Sequence, residues 1–198
     1  MTSKRIASSV WSGACFVVLF LGTANSHALD TFTSLASYNA AVGSHNVIDF
    51  TGLADGTIVT NQFIGLGVTF TDGNDTVFSA SVFQVDGKGI DDNGSTTITF
   101  LSPINHFGVE FPGAVTIEMY SGATLVSSTP FGGIGVGFFG GVLDRGQSID
   151  RVVLFDHFVE PGIYDNLHFG FVIIPEPATA SLALLSMGGL MMRRRRMA

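Results

Sequence analysis

Three neighbouring stretches decide the fold: Thr96-Thr-Ile-Thr-Phe-Leu101, His106-Phe-Gly-Val-Glu-Phe111 and Val115-Thr-Ile-Glu-Met-Tyr120. Apolar and polar residues alternate in the first and third, which is the period of a half-buried β-strand and not of a helix. Pro112-Gly113 separates the second from the third as a turn. Working outward, the same grammar repeats. Asn46–Thr51, Gly67–Thr71, Val77–Val85, Thr124–Ser128, Ile149–Phe155 and Tyr164–Phe169 are expected strands rich in Val, Ile, Thr and Phe. Asp72-Gly73-Asn74-Asp75 and Asp91-Asp92-Asn93-Gly94 are expected turns between them. One helix is expected, from Ser34 to Ala41, capped by Thr33 or Ser34, with Leu35, Tyr38 and Val42 on one face. The pattern implies an all-β domain, a single antiparallel β-sandwich of jelly-roll type, spanning residues 29–172.

Composition agrees with a packed domain: 46% of the 198 residues are hydrophobic and 13% charged, with 25 glycines and 18 phenylalanines. The single cysteine, Cys15, lies near the N-terminus, so the body has neither a disulfide nor a cysteine metal site. Between Leu29 and Ile174 there are fifteen Asp and Glu against Lys88, Arg145 and Arg151. So acidic a body does not suit nucleic acid, whose phosphates need Lys and Arg. It suits a solvated surface, or one that gathers divalent cations.

The two ends read as addresses. Lys4 and Arg5 precede the apolar Ala14–Gly22, and Ser26-His27-Ala28 offers small residues where signal peptidase cuts. Residues 1–28 are therefore an expected signal peptide, cleaved after Ala28, with Ala24 the second choice. At the other end stand Pro175-Glu176-Pro177, the apolar run Ala178–Met192 and the cluster Arg193, Arg194, Arg195 and Arg196. The run is short for a bilayer core of ~30 Å, and the arginines should stay cytoplasmic, leaving the body outside.

This ordered tail resembles the PEP-CTERM sorting signal of Gram-negative bacteria. The resemblance implies export across the inner membrane, transient anchoring by a C-terminal hydrophobic helix in residues 173–198, and removal of the tail by exosortase, a membrane transpeptidase-like enzyme. Pro175, Glu176 and Pro177 would be the recognition motif, and Arg193 to Arg196 the cytoplasmic stop. An ordinary single-pass anchor is the alternative. Parts of the body, Ile48-Asp49-Phe50-Thr51-Gly52-Leu53, Phe107–Phe111 and Tyr164–Phe169, also resemble a domain common in PEP-CTERM proteins. Its relatives are similar to carbohydrate-binding sandwiches. That implies a cell-surface or extracellular-matrix protein without catalytic activity, or alternatively a module for exopolysaccharide.

Chemistry-bearing motifs are sparse. Gly135-Val-Gly-Phe-Phe-Gly140 matches G-x-G-x-x-G, but residues 141–155 have no helical period, so the glycines are expected to let a strand pack closely. The acidic stretch Asp86–Gly94, with Asp86, Asp91 and Asp92, has the oxygen density that calcium wants, yet Lys88 and Thr97 break an EF-hand reading, and a solvated loop is the simpler expectation. A second candidate for structural calcium is the pair Asp49 and Asp165, by analogy with jelly rolls whose first and last strands share an ion. His45, His106, His157 and His168 show no ligand spacing, and Asp156-His157 with Glu160 should point to opposite faces of a strand. No serine elbow is present. Tyr38, Tyr120 and Tyr164 are the tyrosines left to stack on sugar rings, the lone tryptophan being Trp11.

Overall fold

A computed structural model describes residues 28–71, 75–79, 87–91, 94–132, 138–156 and 162–173. The described residues form twelve strands in two antiparallel sheets, with one α-helix and one short 3-10 turn. In chain order the elements are β1 (Leu29–Phe32), α1 (Leu35–Val42), β2 (Asn46–Ile48), the turn Ile64–Leu66, β3 (Val68–Phe70), β4 (Thr76–Phe78), β5 (Gly89–Asp91) and β6 (Ser95–Ile104). After these come β7 (His106–Phe111), β8 (Val115–Ser121), β9 (Thr124–Phe131), β10 (Phe138–Asp144), β11 (Ile149–Asp156) and β12 (Ile163–Gly170). The larger sheet runs β1-β10-β7-β12-β5-β4, with β2 also paired to β12; the smaller runs β3-β6-β11-β8-β9. The all-β sandwich read from the alternation is the architecture found.

The core lies between the sheets. From the larger come Phe107, Val109, Phe111, Val142, Leu167 and Phe169; from the smaller, Ile98, Phe100, Ile117, Met119, Val152 and Leu154, all buried. Each such side chain contributes on the order of 2 kcal/mol by leaving water. Phe100 touches both Phe107 and Phe169 edge-on or tilted, at 6.3 and 5.3 Å between ring centres, and so ties the sheets together.

Most expected strands are present, with shifted ends. The strand expected to Thr51 stops at Ile48 because the chain turns at Phe50, whose φ is +56°, a strained value for so bulky a residue. Phe50 is fully buried against Phe63 and Phe70, and that packing holds the turn. The expected strand Val77–Val85 is found as Thr76–Phe78; residues 80–86 lie outside the described residues. Within the acidic stretch, where a loop is expected, Gly89–Asp91 is instead a strand between β4 and β12. β1 and the glycine-rich β10 are not among the expected elements.

The corner between β6 and β7 is pinned by Asn105, which is buried. Its backbone N–H donates to Gly170 O at 2.9 Å and its carbonyl accepts from Asp144 N at 2.8 Å. Its amide closes a two-bond clamp on Val172, Nδ2 to O and Oδ1 from N, both 2.8 Å. Ala28 O meanwhile accepts from Arg145 N at 3.1 Å. The described chain therefore enters and leaves at the same end of the larger sheet.

Candidate functional site

The two sheets present different outer faces. On the smaller, register aligns Ser128, Glu118, Val153 and Thr97 in one row and Tyr120, Arg151, Thr99 and Thr69 in the next. Alternation puts the threonines outward. The Arg151 guanidinium lies 4.0 Å over the Tyr120 ring. The Tyr120 hydroxyl donates to Glu118 Oε2 at 2.6 Å, and Ser128 Oγ donates to Oε1 at 3.2 Å. That bond to Glu118 pushes the Tyr120 phenol above its usual range. The result is an open, hydrogen-bonding face with two aromatic rings, Tyr120 and, opposite Thr116, Phe155.

The outer face of the larger sheet is covered. Ser34 caps α1, its side chain accepting from Ser37 N at 3.3 Å, and the expected face of Leu35, Tyr38 and Val42 turns inward. Tyr38 reaches the sheet because two glycines make room. A Cβ on Gly141 would come within 2.7 Å of Tyr38 Cδ2 and of Phe139, and one on Gly108 within 2.6 Å of Phe139. Gly141 lies opposite Gly108, and Gly108 opposite His168. In the adjacent row Leu143 is opposite His106 and His106 opposite Gly170. His45 extends that row, its Cβ 3.6 Å from where a Gly170 Cβ would stand.

Three of the four histidines that look scattered in sequence thus converge beneath α1. Tyr38 Oη and His106 Nδ1 are 2.6 Å apart, and His45 Nε2 and His168 Nδ1 are 2.8 Å apart. His45 Nδ1 is 2.8 Å from Gly43 O, and His168 Nε2 lies 3.6 Å from Glu110 Oε1. Tyr38 and His106 are fully buried, while His168 and Glu110 are nearly so. Burial pushes the Tyr38 hydroxyl well up, and burial with the charges of His45 and His168 pushes His106 down to about 4. Spacing in sequence could not reveal this cluster. The signal was strand pairing: His45 immediately precedes β2, His106 opens β7 and His168 lies two residues from the end of β12, the strand that pairs with both.

The residues singled out from sequence fall elsewhere. Asp49 is exposed and its Oδ1 accepts from Thr51 N and Oγ1 at 3.2 and 3.0 Å. Asp165 is buried, and its Oδ1 accepts from Asn166 N at 2.8 Å. β2 lies beside β12 with Ile48 opposite Leu167, so the two aspartates belong to neighbouring segments. Asp91 sits opposite Ile163 and Thr76. Lys88, in the acidic stretch, turns to Asp55 Oδ1 at 3.1 Å and to Leu53 O. Among the described residues no three His, Cys, Asp or Glu side chains are arranged to hold a metal ion. The partnered histidine nitrogens face one another, Gly43 O, Tyr38 or Glu110.

Asp86, Asp92, His157, Glu160, the sorting motif Pro175–Pro177, the expected helix Ala178–Met192 and Arg193 to Arg196 lie outside the described residues. Among the described residues no helix is long and apolar enough to cross a membrane. Of the tyrosines, Tyr38 and Tyr164 are buried, so Tyr120 is the one that reaches a surface, and Arg151 covers one side of its ring. A hollow of about 350 Å³ lies near the rims of both sheets, lined by Leu29, Ser121, Thr124, Leu125, Asp144 and Gln147 among others. The chain matches no family model and no curated protein.

Proposed function

We propose that this is an exported, non-enzymatic β-sandwich of the cell surface or extracellular matrix, released from its tail by an exosortase-type enzyme. The observation that carries the reading is the ordered C-terminal tail, Pro175-Glu176-Pro177, Ala178–Met192 and Arg193 to Arg196. The body fits between the two expected cuts. β1 begins at Leu29, the residue after the proposed signal-peptidase site, and Val172 is clamped just before the tail. Successive strands that cross repeatedly between the two sheets favour the jelly-roll form. Intact-mass spectrometry of the protein recovered from an exosortase-bearing Gram-negative host tests the sorting. The expected mass ends near Pro175–Pro177 and begins at Leu29. An intact arginine tail in mature material would turn the signal into a lasting anchor.

A second reading, binding of exopolysaccharide, is favoured by the open face of Thr97, Thr99, Glu118, Tyr120 and Arg151. Hydroxyls, a carboxylate and a partly covered ring can hydrogen-bond and stack on a sugar, although the platform is small. A glycan array with and without calcium decides it, and also tests whether Asp49 and Asp165 respond to that ion. Binding weakened at least tenfold by Tyr120→Ala and Arg151→Ala would establish it; no binding under either condition removes it.

A further inference from the structure

Exposed apolar residues are not spread evenly over the body. Among the described residues nine large hydrophobic side chains are exposed, and seven of them lie at one end of the sandwich. Strand pairing defines that end. β12 finishes there at Gly170, opposite His106, and Asn105 binds Gly170 and Val172 across the corner. On either side of the clamped Val172, Phe171 is 57% exposed and Ile173 85%. β1 starts there with Leu29 opposite Asp144, and Leu125, near the start of β9, stands opposite Tyr120. On β6, Thr99 pairs with Arg151 and Ile104 with Ile149, so five steps of β6 match two of β11. The surplus throws Leu101-Ser102-Pro103 outward, all exposed. The Leu101 N–H donates to Gly67 O, which sets Leu101 beside the exposed Leu66.

We propose that this end of the body is a membrane-docking surface, seated on the bilayer while the C-terminal tail is inserted. The proposal rests on the tail-anchored reading above and adds an orientation to it. Two observations choose lipid as the occupant. From Ile173 to Ala178, where the apolar run starts, there are five residue steps, at most about 18 Å of chain. An inserted run therefore holds this end against the interface, where exposed Leu, Ile and Phe side chains leave water for acyl chain. Charge agrees. Asp91 lies opposite Ile163, where β12 begins, with Thr76 and Asp75 beside it, and Asp156 ends β11 opposite Val115. Those carboxylates are at the far end, away from anionic headgroups. Arg145 and Arg151, the body's two arginines, stand at the apolar end. The carboxylates there are engaged: Asp30 with Arg145, Asp144 with the Gly146 and Gln147 N–H groups, and Asp150 with the Gly122 N–H.

The test uses the full chain with Cys15→Ala and one new cysteine carrying an environment-sensitive dye. It is reconstituted in phosphatidylcholine–phosphatidylglycerol vesicles that contain a lipid with a nitroxide near the headgroup. Labels at Leu101→Cys and Leu125→Cys are expected to be quenched at least threefold more than one at Ile58→Cys, which bridges to Thr76 at the far end. Adding Leu66→Ser and Phe171→Ser should cut the quenching at position 125 by at least half while flotation with the vesicles stays unchanged. Equal quenching at 101, 125 and 58 in a chain that floats overturns the docking and leaves the anchor standing, whether the tail or a second copy then covers the patch. Undiminished quenching in the serine variant overturns it as well. A chain that does not float removes the anchored reading, and this proposal with it.

Discussion

The outer faces of the two sheets start from the same strand alternation and end differently. On the smaller sheet the outward positions hold Thr69, Thr97, Thr99, Thr116, Glu118, Tyr120 and Arg151 together with the apolar Val153 and Phe155, and no helix covers them among the described residues. On the larger, the corresponding positions of three adjacent strands hold Gly108, Gly141 and Gly170, and a helix closes over them. A β-branched residue stiffens and fills its patch of sheet, whereas glycine leaves a trough. Glycine placement, more than hydrophobicity, decides which face gains a second core, with Tyr38, Val42, Phe139 and Leu143.

The strongest way to break this contrast is Gly141→Val. With a Cβ already 2.7 Å from Tyr38 and Phe139, the variant should lose about 3 kcal/mol or more in denaturant unfolding. Thr99→Val on the open face should stay within about 0.5 kcal/mol.

Acid should act on the covered face next. Below about pH 6.5 the unfolded chain protonates the His106 imidazole, while the folded chain resists until about pH 4. Stability therefore falls as the pH drops through that interval, by about 3 kcal/mol, and levels off below it. Thermal or urea unfolding across pH 4–7 measures it, and His106→Gln should flatten the slope.

A matched pair sharpens the comparison further. Tyr38→Phe strands the His106 Nδ1 atom under the helix and should cost about 1–2 kcal/mol. Tyr120→Phe removes a bond to a solvent-facing Glu118 and should cost about 0.5 kcal/mol or less. Equal losses from both would mean that the helix does not seal its face. The smallest effect is expected for Arg151→Met, which loses only the contact over the Tyr120 ring, within about 0.5 kcal/mol of the parent.

Much of the fold is legible in the sequence because it is local. The alternation of Thr97–Phe100 and Val115–Tyr120 marks both strands, and the expected bounds of His106–Phe111 are those found. Ser34 and the stripe Leu35, Tyr38 and Val42 mark the helix and its buried face. The bounds of β10 escape because Gly140 and Gly141 carry no strand propensity; the close packing expected of the glycine motif is found at Gly140, against Phe131 and Phe111, whereas the role of Gly141 emerges only when Tyr38 presses against it. β5 escapes because Gly89–Asp91 looks like a loop until β4 and β12 flank it. The histidine cluster is illegible for a deeper reason. Its members are separated by about sixty residues each, and only the register of β7 and β12, with the bulge between Asp165 and His168, brings the rings together.

Asn105 and its clamp on Val172 have a mechanical meaning. β12, the strand that leads to the C-terminal tail, is a middle strand, bonded to β7 on one side and to β2 and β5 on the other. β1, at the N-terminal end of the described chain, is a rim strand, and among the described residues β10 is its single partner. Tension applied from the C-terminal side would meet the clamp first and then load two ladders in shear. Tension from the N-terminal side would peel one ladder bond by bond. A body tethered through its C-terminal side is held by its interior, and could lose its first strand to a pull without letting go.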